Sequence, residues 1–188
     1  MRKSFTGVLG IGVSLLGVAC APAEFSGTVG EYELGKMQSA YFDVYDDESG
    51  ISQVFFADYK WSCEELQEAA ANDSNPPVKD PEQVNQFLSA VVLQYDDTPE
   101  TAAEVDYKIV DDYKDLLELS SGAYIAYVGV SFANNSGSVN DYYSAENGTF
   151  TLETVDLTKS ITGSVSMSLS TGTIVEGSFS ASRCDLPD

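Results

Sequence analysis

Three cysteines, several runs of carboxylates and a row of aromatic residues are the side chains of this sequence with reactive or ligand-binding potential. The chain has 188 residues, with 30 Asp and Glu against 9 Lys and Arg, and it contains no histidine. Ser-His-Asp and Cys-His catalysis and histidine-ligated zinc sites are therefore excluded. The net charge of −21 provides no basic surface to replace phosphate counterions, so we expect no nucleic-acid partner.

Clustered carboxylates are one way to bind a hard cation such as calcium, which takes several oxygen ligands at once. No segment has the regular Asp spacing of an EF-hand loop. We therefore expect the acidic clusters to form solvated turns, with calcium binding as the alternative, and we predict no metal site. The clusters are Asp43, Asp46, Asp47 and Glu48; Asp96, Asp97 and Glu100; and Asp111, Asp112 and Asp115.

A carboxylate pair could also hydrolyse a glycosidic bond, given two acids about 5–10 Å apart beside a sugar cleft. With 30 acidic residues, some such pair is inevitable by chance, and nothing in the sequence selects one. We predict no catalytic residue, no cofactor and no enzyme activity.

Aromatic residues are frequent, with 11 Tyr and 1 Trp. Tyr41, Tyr45, Tyr59 and Trp61 occupy alternate positions of the early predicted strands, opposite the aliphatic face. Exposed aromatics on a β face can stack on sugar rings or peptides, so these four are the candidate ligand-binding residues. The alternative is that they pack on half-buried strands, with their hydroxyls at the rim.

The amino terminus has the pattern of an export signal. Met1, Arg2 and Lys3 form a short positive region, an apolar stretch follows over Phe5–Val18, and Cys20 comes directly after Ala19. The apolar stretch is too short for a transmembrane helix, which needs about 20 residues. The segment resembles the signal peptide and lipobox of bacterial lipoproteins, although Gly17 stands where that family usually has Leu.

The resemblance implies that Cys20 is lipidated and becomes the acylated first residue of the mature chain. Ala21 then resembles the default for sorting to the outer membrane, facing the periplasm or the cell surface. The remaining Cys63 and Cys184 would form a disulfide in that oxidising compartment. Ordinary secretion, with Cys20 as a plain cysteine, is the alternative. The implied partner is the membrane, reached through the lipid, and a protein or glycan partner is left open.

The domain organisation follows from these boundaries. Residues 1–19 are the predicted signal peptide, residues 20–30 a short lipidated tether, and residues 31–188 a single disulfide-closed β domain.

The clearest strands lie at the carboxyl end. Apolar or small residues alternate with Thr and Ser over Ser160–Ser170, and the alternation resumes over Val175–Ser182. Strict period two predicts two half-buried strands. Matching their apolar faces centres a tight hairpin turn on Gly172, which would supply a positive φ.

Further strands are less regular. Ala123–Ala133 is apolar on both faces, as expected of a central strand. Thr149–Leu157 shifts phase between Leu152 and Val155, which predicts a bulge, and Asn147-Gly148 before it reads as a turn, with Tyr142 and Tyr143 in the preceding loop. Other predicted strands are Phe25–Val29, Met37–Tyr45, Ile51–Tyr59 and Val105–Val110.

Two helix starts are present. Ser62 and Glu65 fit a capping box, and the helix after them would turn Cys63 inward. Asp80-Pro81 is the second start, followed by apolar residues at helical spacing from Val84 to Val91. The stretch Ala90–Tyr95 reads equally well as a strand, so the second helix is one of two alternatives.

Eight or so strands with little helix predict a mainly β fold: an antiparallel β-sandwich or flattened barrel with one or two short helices. The overall plan is similar to small Gram-negative lipoproteins that pair a lipobox with a β domain ending in a hairpin and a Cys. We expect a membrane-anchored, non-enzymatic structural or interaction module of the envelope. A carbohydrate- or calcium-binding β domain is the alternative.

Overall fold

The computed structural model describes residues 22–44, 51–72, 85–95, 104–112, 123–133 and 139–187. Within these ranges the chain forms twelve strands and one helix. The helix is α1 (Cys63–Ala71), between the sixth and seventh strands. The strands are β1 (Ala23–Ser26), β2 (Thr28–Val29), β3 (Tyr32–Glu33), β4 (Lys36–Met37), β5 (Ser39–Val44), β6 (Ile51–Ala57), β7 (Asn85–Tyr95), β8 (Asp106–Ile109), β9 (Ala123–Ala133), β10 (Val139–Asp156), β11 (Ser160–Leu169) and β12 (Ile174–Arg183).

Ten of these strands form one large mixed sheet, in the order β11-β10-β8-β9-β7-β6-β5-β12-β1-β4, while β2 and β3 form a small hairpin. β11 also pairs with β12, and β10 with β9, so the sheet folds back on itself around a shared interior. The predicted mainly β, sandwich-like fold is confirmed. The pairing is not purely antiparallel, because β12 meets β5, and β8 meets β9, in parallel.

The structure confirms the carboxyl-terminal hairpin and the predicted division of its strands into a buried and an exposed face. β11 and β12 pair antiparallel, and the inward residues of β11 are buried while most of the others remain partly or fully exposed. Ser168 lies opposite Ile174, so the turn is centred on Thr171 rather than on the predicted Gly172. Gly172 still supplies the positive φ, at 78°. Both apolar faces survive this shift, since the pairing moves by two residues and a strand repeats every two.

The predicted turn at Asn147-Gly148 is wrong, because both residues lie within strand β10. The chain runs through these residues as continuous strand, and two register shifts interrupt its pairing with β11. One lies between Leu152 and Thr154, where the sequence predicted a bulge; the other, between Ala145 and Asn147, takes the place of the turn. Tyr142 and Tyr143 therefore lie on a strand and not in a loop.

Of the two alternatives for the segment that ends at Tyr95, the structure contains the strand, β7, and not a second helix. Asn85–Tyr95 is extended over its full length and pairs antiparallel with β6 on one side and β9 on the other. A strand with neighbours on both sides satisfies its backbone groups in two ladders, and this tertiary pairing outweighs the helical spacing of its apolar residues. The predicted helix start at Asp80-Pro81 lies outside the described residues.

The main core fills the interior of the folded sheet with large apolar side chains. A chain of aromatic rings crosses it: Phe25 packs edge-on against Phe56, Phe56 packs against Phe179, and Phe179 stacks on Phe150 at 5.1 Å. Tyr107, from β8, is fully buried among them. Burying such rings supplies much of the driving force for folding.

The amino-terminal strands belong to this core. Ala23, Phe25 and Val29 are buried, although the sequence assigned residues 20–30 to a tether. β1 pairs with both β12 and β4. The first strand of the described residues thus begins at Ala23, three positions after Cys20.

Helix α1 begins where the capping box predicted. The Ser62 side chain accepts a hydrogen bond from the Glu65 N–H, and the Glu65 carboxylate accepts one from the Ser62 N–H at 2.8 Å. Leu66 and Ala69 are buried on the face that packs onto the sheet. The carboxylates of Glu64 and Glu65 lie in the first turn, where the helix dipole favours negative charge.

Candidate functional site

A second, smaller hydrophobic cluster brings together three of the four predicted ligand-binding residues. Ala57, Tyr59, Trp61, Leu66 and Cys184 form this cluster, with Tyr41 partly buried against it. Tyr59 is 8 % exposed and Trp61 is 5 % exposed, because α1 covers them. These aromatic rings therefore fill the space beneath α1, as in the packing alternative. Tyr45 lies outside the described residues.

Hydrogen bonds fix the chain around this small cluster. The buried Ser39 hydroxyl donates to the Tyr59 carbonyl and accepts from the Trp61 N–H at 2.8 Å. The Tyr41 hydroxyl donates to the Trp61 carbonyl at 2.9 Å. Partial burial raises the pKa of Tyr41, and the nearby Glu65 carboxylate raises it further. Together these bonds satisfy backbone groups of Tyr59 and Trp61, which makes the cluster a structural unit.

The disulfide between Cys63 and Cys184 lies in the same cluster, with the two Cα atoms 5.5 Å apart. It joins the first residue of α1 to the residue after β12, across 121 positions of sequence. The predicted pairing is present, and the predicted inward turn of Cys63 brings it about.

Tyr142 has the largest exposed fraction, 48 %, among the aromatic side chains whose exposure the structure describes. It lies on β10 opposite Ser131, and Ser144, on the same face, lies opposite Gly129. The hydroxyl end of the Tyr142 ring sits over Gly129, where a Cβ would lie only 2.4 Å from the phenolic oxygen. Glycine at position 129 therefore makes room for this ring.

Tyr127, two residues before Gly129 on β9, holds the ring in place. The Tyr142 hydroxyl donates a hydrogen bond to the Tyr127 hydroxyl at 3.0 Å. Partial burial and this hydrogen bond raise the pKa of Tyr142 well above its ordinary value. We call Tyr127 and Tyr142 the tyrosine pair. It presents ordered phenol groups to solvent, and such groups can stack on or hydrogen-bond to a sugar or a peptide.

The sequence analysis missed this arrangement because it placed Tyr142 in a loop. A signal for it exists: a glycine inside an apolar strand indicates a bulge or a close approach by another group. Gly129 interrupts the apolar run of β9 in this way.

Carboxylates line an open groove of about 650 Å³ between α1 and the chain after β12. Glu64, Glu68 and Asp185 are on its walls, and Gln67 bridges it by donating to the Asp185 carbonyl at 2.7 Å. In the described ranges, no three acidic or cysteine side chains are arranged to hold a metal ion.

The predicted acidic clusters are only partly described. Asp43 accepts a hydrogen bond from the Leu186 N–H at 3.1 Å, and Asp111 and Asp112 are exposed after β8. The remaining members lie outside the described residues: Asp46, Asp47, Glu48, Asp96, Asp97, Glu100 and Asp115.

Among the described residues, no helix has the length and apolar character needed to cross a bilayer. Cys20 and the predicted signal lie outside those residues. Comparisons of the chain with models of protein families, with curated proteins and with solved structures found no match.

Proposed function

We propose that this protein is a lipid-anchored envelope protein whose β domain is a non-enzymatic structural or interaction module, attached to the outer membrane and facing the periplasm or the cell surface. One observation carries the proposal. The chain has three cysteines, and Cys63 and Cys184 bond to each other, which leaves Cys20 as the remaining one. That cysteine directly follows the apolar segment and the small residue that lipoprotein signals require.

The composition of the body supports the non-enzymatic part of the proposal. The chain lacks histidine, and the groove beside α1 carries carboxylates on an open surface. Glycoside hydrolysis would need two acids about 5–10 Å apart beside a sugar cleft. The acidic net charge of −21 disfavours nucleic acid and is compatible with a protein or glycan partner.

Intact-mass analysis of the membrane fraction tests the anchor directly. The full chain, expressed in a Gram-negative host, should partition into detergent and should weigh as residues 20–188 plus a thioether-linked diacylglyceryl group, with or without a third acyl chain on the Cys20 amine. The Cys20→Ala variant should lose the lipid mass and leave the detergent phase. A wild-type protein recovered from the medium, starting at another residue and bearing no lipid, would refute the proposal.

A second candidate function is carbohydrate binding by the tyrosine pair, and the ordered, half-exposed Tyr142 favours it. Titration with soluble oligosaccharides, followed by NMR, should shift the ring signals of Tyr142 and of its hydrogen-bonded partner Tyr127. Tyr142→Ala should abolish the shifts at Tyr127. Ile174→Ala is the matched control, because Ile174 is 63 % exposed on another part of the sheet. Shifts that survive Tyr142→Ala would exclude this site.

A further inference from the structure

The start of the folded body restricts where a lipid on Cys20 can lie. Ala23, the first residue of β1, is opposite Phe179 of β12, and the Pro22 carbonyl accepts a hydrogen bond from the Ser180 N–H at 2.7 Å. Consecutive Cα atoms are about 3.8 Å apart, so the Cα of Cys20 lies within about 8 Å of the Cα of Pro22. The anchor therefore attaches beside Ser180.

The edge of β12 beyond Ser180 is already occupied. Ser182 and Arg183 pair in parallel with Tyr41 and Phe42 of β5. The described chain begins at Pro22, beside the point on the β12 edge where β1 gives way to β5. This point is at the carboxyl-terminal end of β12.

The neighbouring turn joins β10 to β11 and lies at the same end of the sheet. The Arg183 N–H donates to the Lys159 carbonyl at 2.9 Å, and Ser182 lies opposite Ser160. Ser180, Ser182 and Lys159 are exposed. We call the surface formed by Lys159, Ser180, Ser182 and Arg183 the anchor end.

Each cation of the anchor end has a carboxylate beside it. Asp156 lies in the same turn as Lys159, whose N–H donates to the Asp156 carbonyl at 2.9 Å, and Asp185 lies beside Arg183. The Arg183 guanidinium forms an ion pair with Asp185 at 2.5 Å and also donates to the Leu157 carbonyl at 3.0 Å. Locally balanced charge and exposed hydroxyl groups allow close approach to neutral lipid headgroups, whereas the carboxylates of the nearby groove, Glu64, Glu68 and Asp185, would be repelled by anionic lipid.

We propose that the anchor end rests against the headgroups of the bilayer that holds the Cys20 lipid, and that the tip of the β11–β12 hairpin points away from it. This inference rests on the proposed lipid anchor. β11 has ten residues, and a strand rises about 3.4 Å per residue, so the tip at Ser170–Thr173 is about 30 Å from the anchor end. The orientation leaves the hairpin tip farthest from the membrane.

Fluorescence quenching from the bilayer surface tests the orientation. Lys159→Cys and Thr171→Cys place single labels at the two ends of β11, at exposed positions. The other cysteines do not react, since Cys63 and Cys184 are bonded and Cys20 is acylated. Each full-length, lipidated, untagged protein is reconstituted in phosphatidylcholine vesicles containing a nickel-chelating lipid, which the histidine-free chain cannot bind through histidine.

Quenching at position 159 should be several-fold stronger than at position 171. Equal quenching, or stronger quenching at 171, in a protein whose mass includes the lipid would overturn the orientation while leaving the anchor intact. A protein without lipid mass would instead overturn the anchor, and the orientation with it.

A variant with a longer chain between Cys20 and β1 tests whether the shortness of that segment causes the difference in quenching between positions 159 and 171. Ten Gly and Ser residues inserted between Ala21 and Pro22 leave β1 and its pairing unchanged, but allow the body to move away from the bilayer. The contrast between positions 159 and 171 should then fall sharply. An unchanged contrast would show that the length of the connection does not orient the domain, contrary to the proposal.

Discussion

The register shift of β10 beside Asn147 requires a residue without a side chain at position 148, where the sequence has Gly148. Its φ of +139° is rarely adopted by residues with a side chain, and a Cβ there would lie 2.3 Å from the Ser166 carbonyl oxygen and 2.6 Å from the Met167 Cα. Both are backbone atoms, which a rotamer change cannot move. Register shifts of this kind bend and twist a strand, so Gly148 helps β10 to pair with both β9 and β11.

We expect Gly148→Ala to lower the free energy of unfolding by about 3 kcal/mol, from the unfavourable backbone conformation and the clash together. Gly172→Ala is the matched control. Gly172 also has a positive φ, but a Cβ at this position would meet no other atom within 4 Å, so the loss should be about 1 kcal/mol. Chemical denaturation of both variants checks the difference, and equal losses would contradict the steric explanation.

Tyr142 provides a test of the tyrosine pair that requires no ligand. Partial burial and the hydrogen bond to Tyr127 raise its pKa above the ordinary value near 10. Because the folded-state pKa is the higher one, the contribution of Tyr142 to stability is complete below about pH 10 and is lost as the pH rises through the folded-state pKa. High pH should therefore weaken the packing around Gly129.

NMR of the tyrosine ring carbons should show Tyr142 still neutral at about pH 11, where an ordinary tyrosine is mostly ionised. Tyr127→Phe should lower the pKa of Tyr142 only in part, because burial is the larger cause. Half-ionisation of Tyr142 near pH 10 in the wild-type protein would contradict the described geometry.

At the level of elements, the sequence predicts best where one face of a strand is wet and the other buried. β11 and β12 show this alternation, and their pairing follows from it. β7 has strands on both sides, and its apolar residues carry no period-two signal, which is why Val84–Val91 could be read as helical. The sequence of β7 does not show which strands it pairs with, and that pairing is what makes it a strand.

The same lack of tertiary information explains why the surroundings of the candidate site residues could not be predicted from the sequence. Alternation along β5 and β6 correctly separates Tyr41 from the main core, but it does not reveal that α1 then covers Tyr59 and Trp61. Nor does it reveal that Tyr142 leans over Gly129 of the neighbouring strand. Both facts depend on which elements become neighbours, and single-strand patterns do not encode that.

The capping box of α1 gives an element-level prediction. Ser62→Ala removes the acceptor for the Glu65 N–H and should lower the free energy of unfolding by about 1 kcal/mol. Ser62→Asp keeps an acceptor at the N-cap and should stay close to the wild-type value. Denaturant unfolding of the three proteins is the measurement. A loss in Ser62→Asp as large as in Ser62→Ala would mean that the serine acts in some other way.

For the whole molecule, the small cluster beneath α1 is the region where distant parts of the chain are joined. It brings together α1, the end of β6 and the residue after β12, while the main core is formed mostly by the strands. The covalent bond between Cys63 and Cys184 closes a loop that includes most of the sheet. A crosslink of this span restricts the unfolded chain more than the folded one.

We expect the double variant Cys63→Ser and Cys184→Ser to lose about 3–5 kcal/mol of unfolding free energy, because the loop of 121 residues is long. A reducing agent is the control: it should lower the stability of the wild-type protein to a similar level and leave the double variant unchanged. Unreduced, unfolded mature protein should contain no titratable thiol if Cys20 is acylated. One free thiol would indicate an unmodified Cys20, whereas two or more would indicate that Cys63 and Cys184 are not bonded.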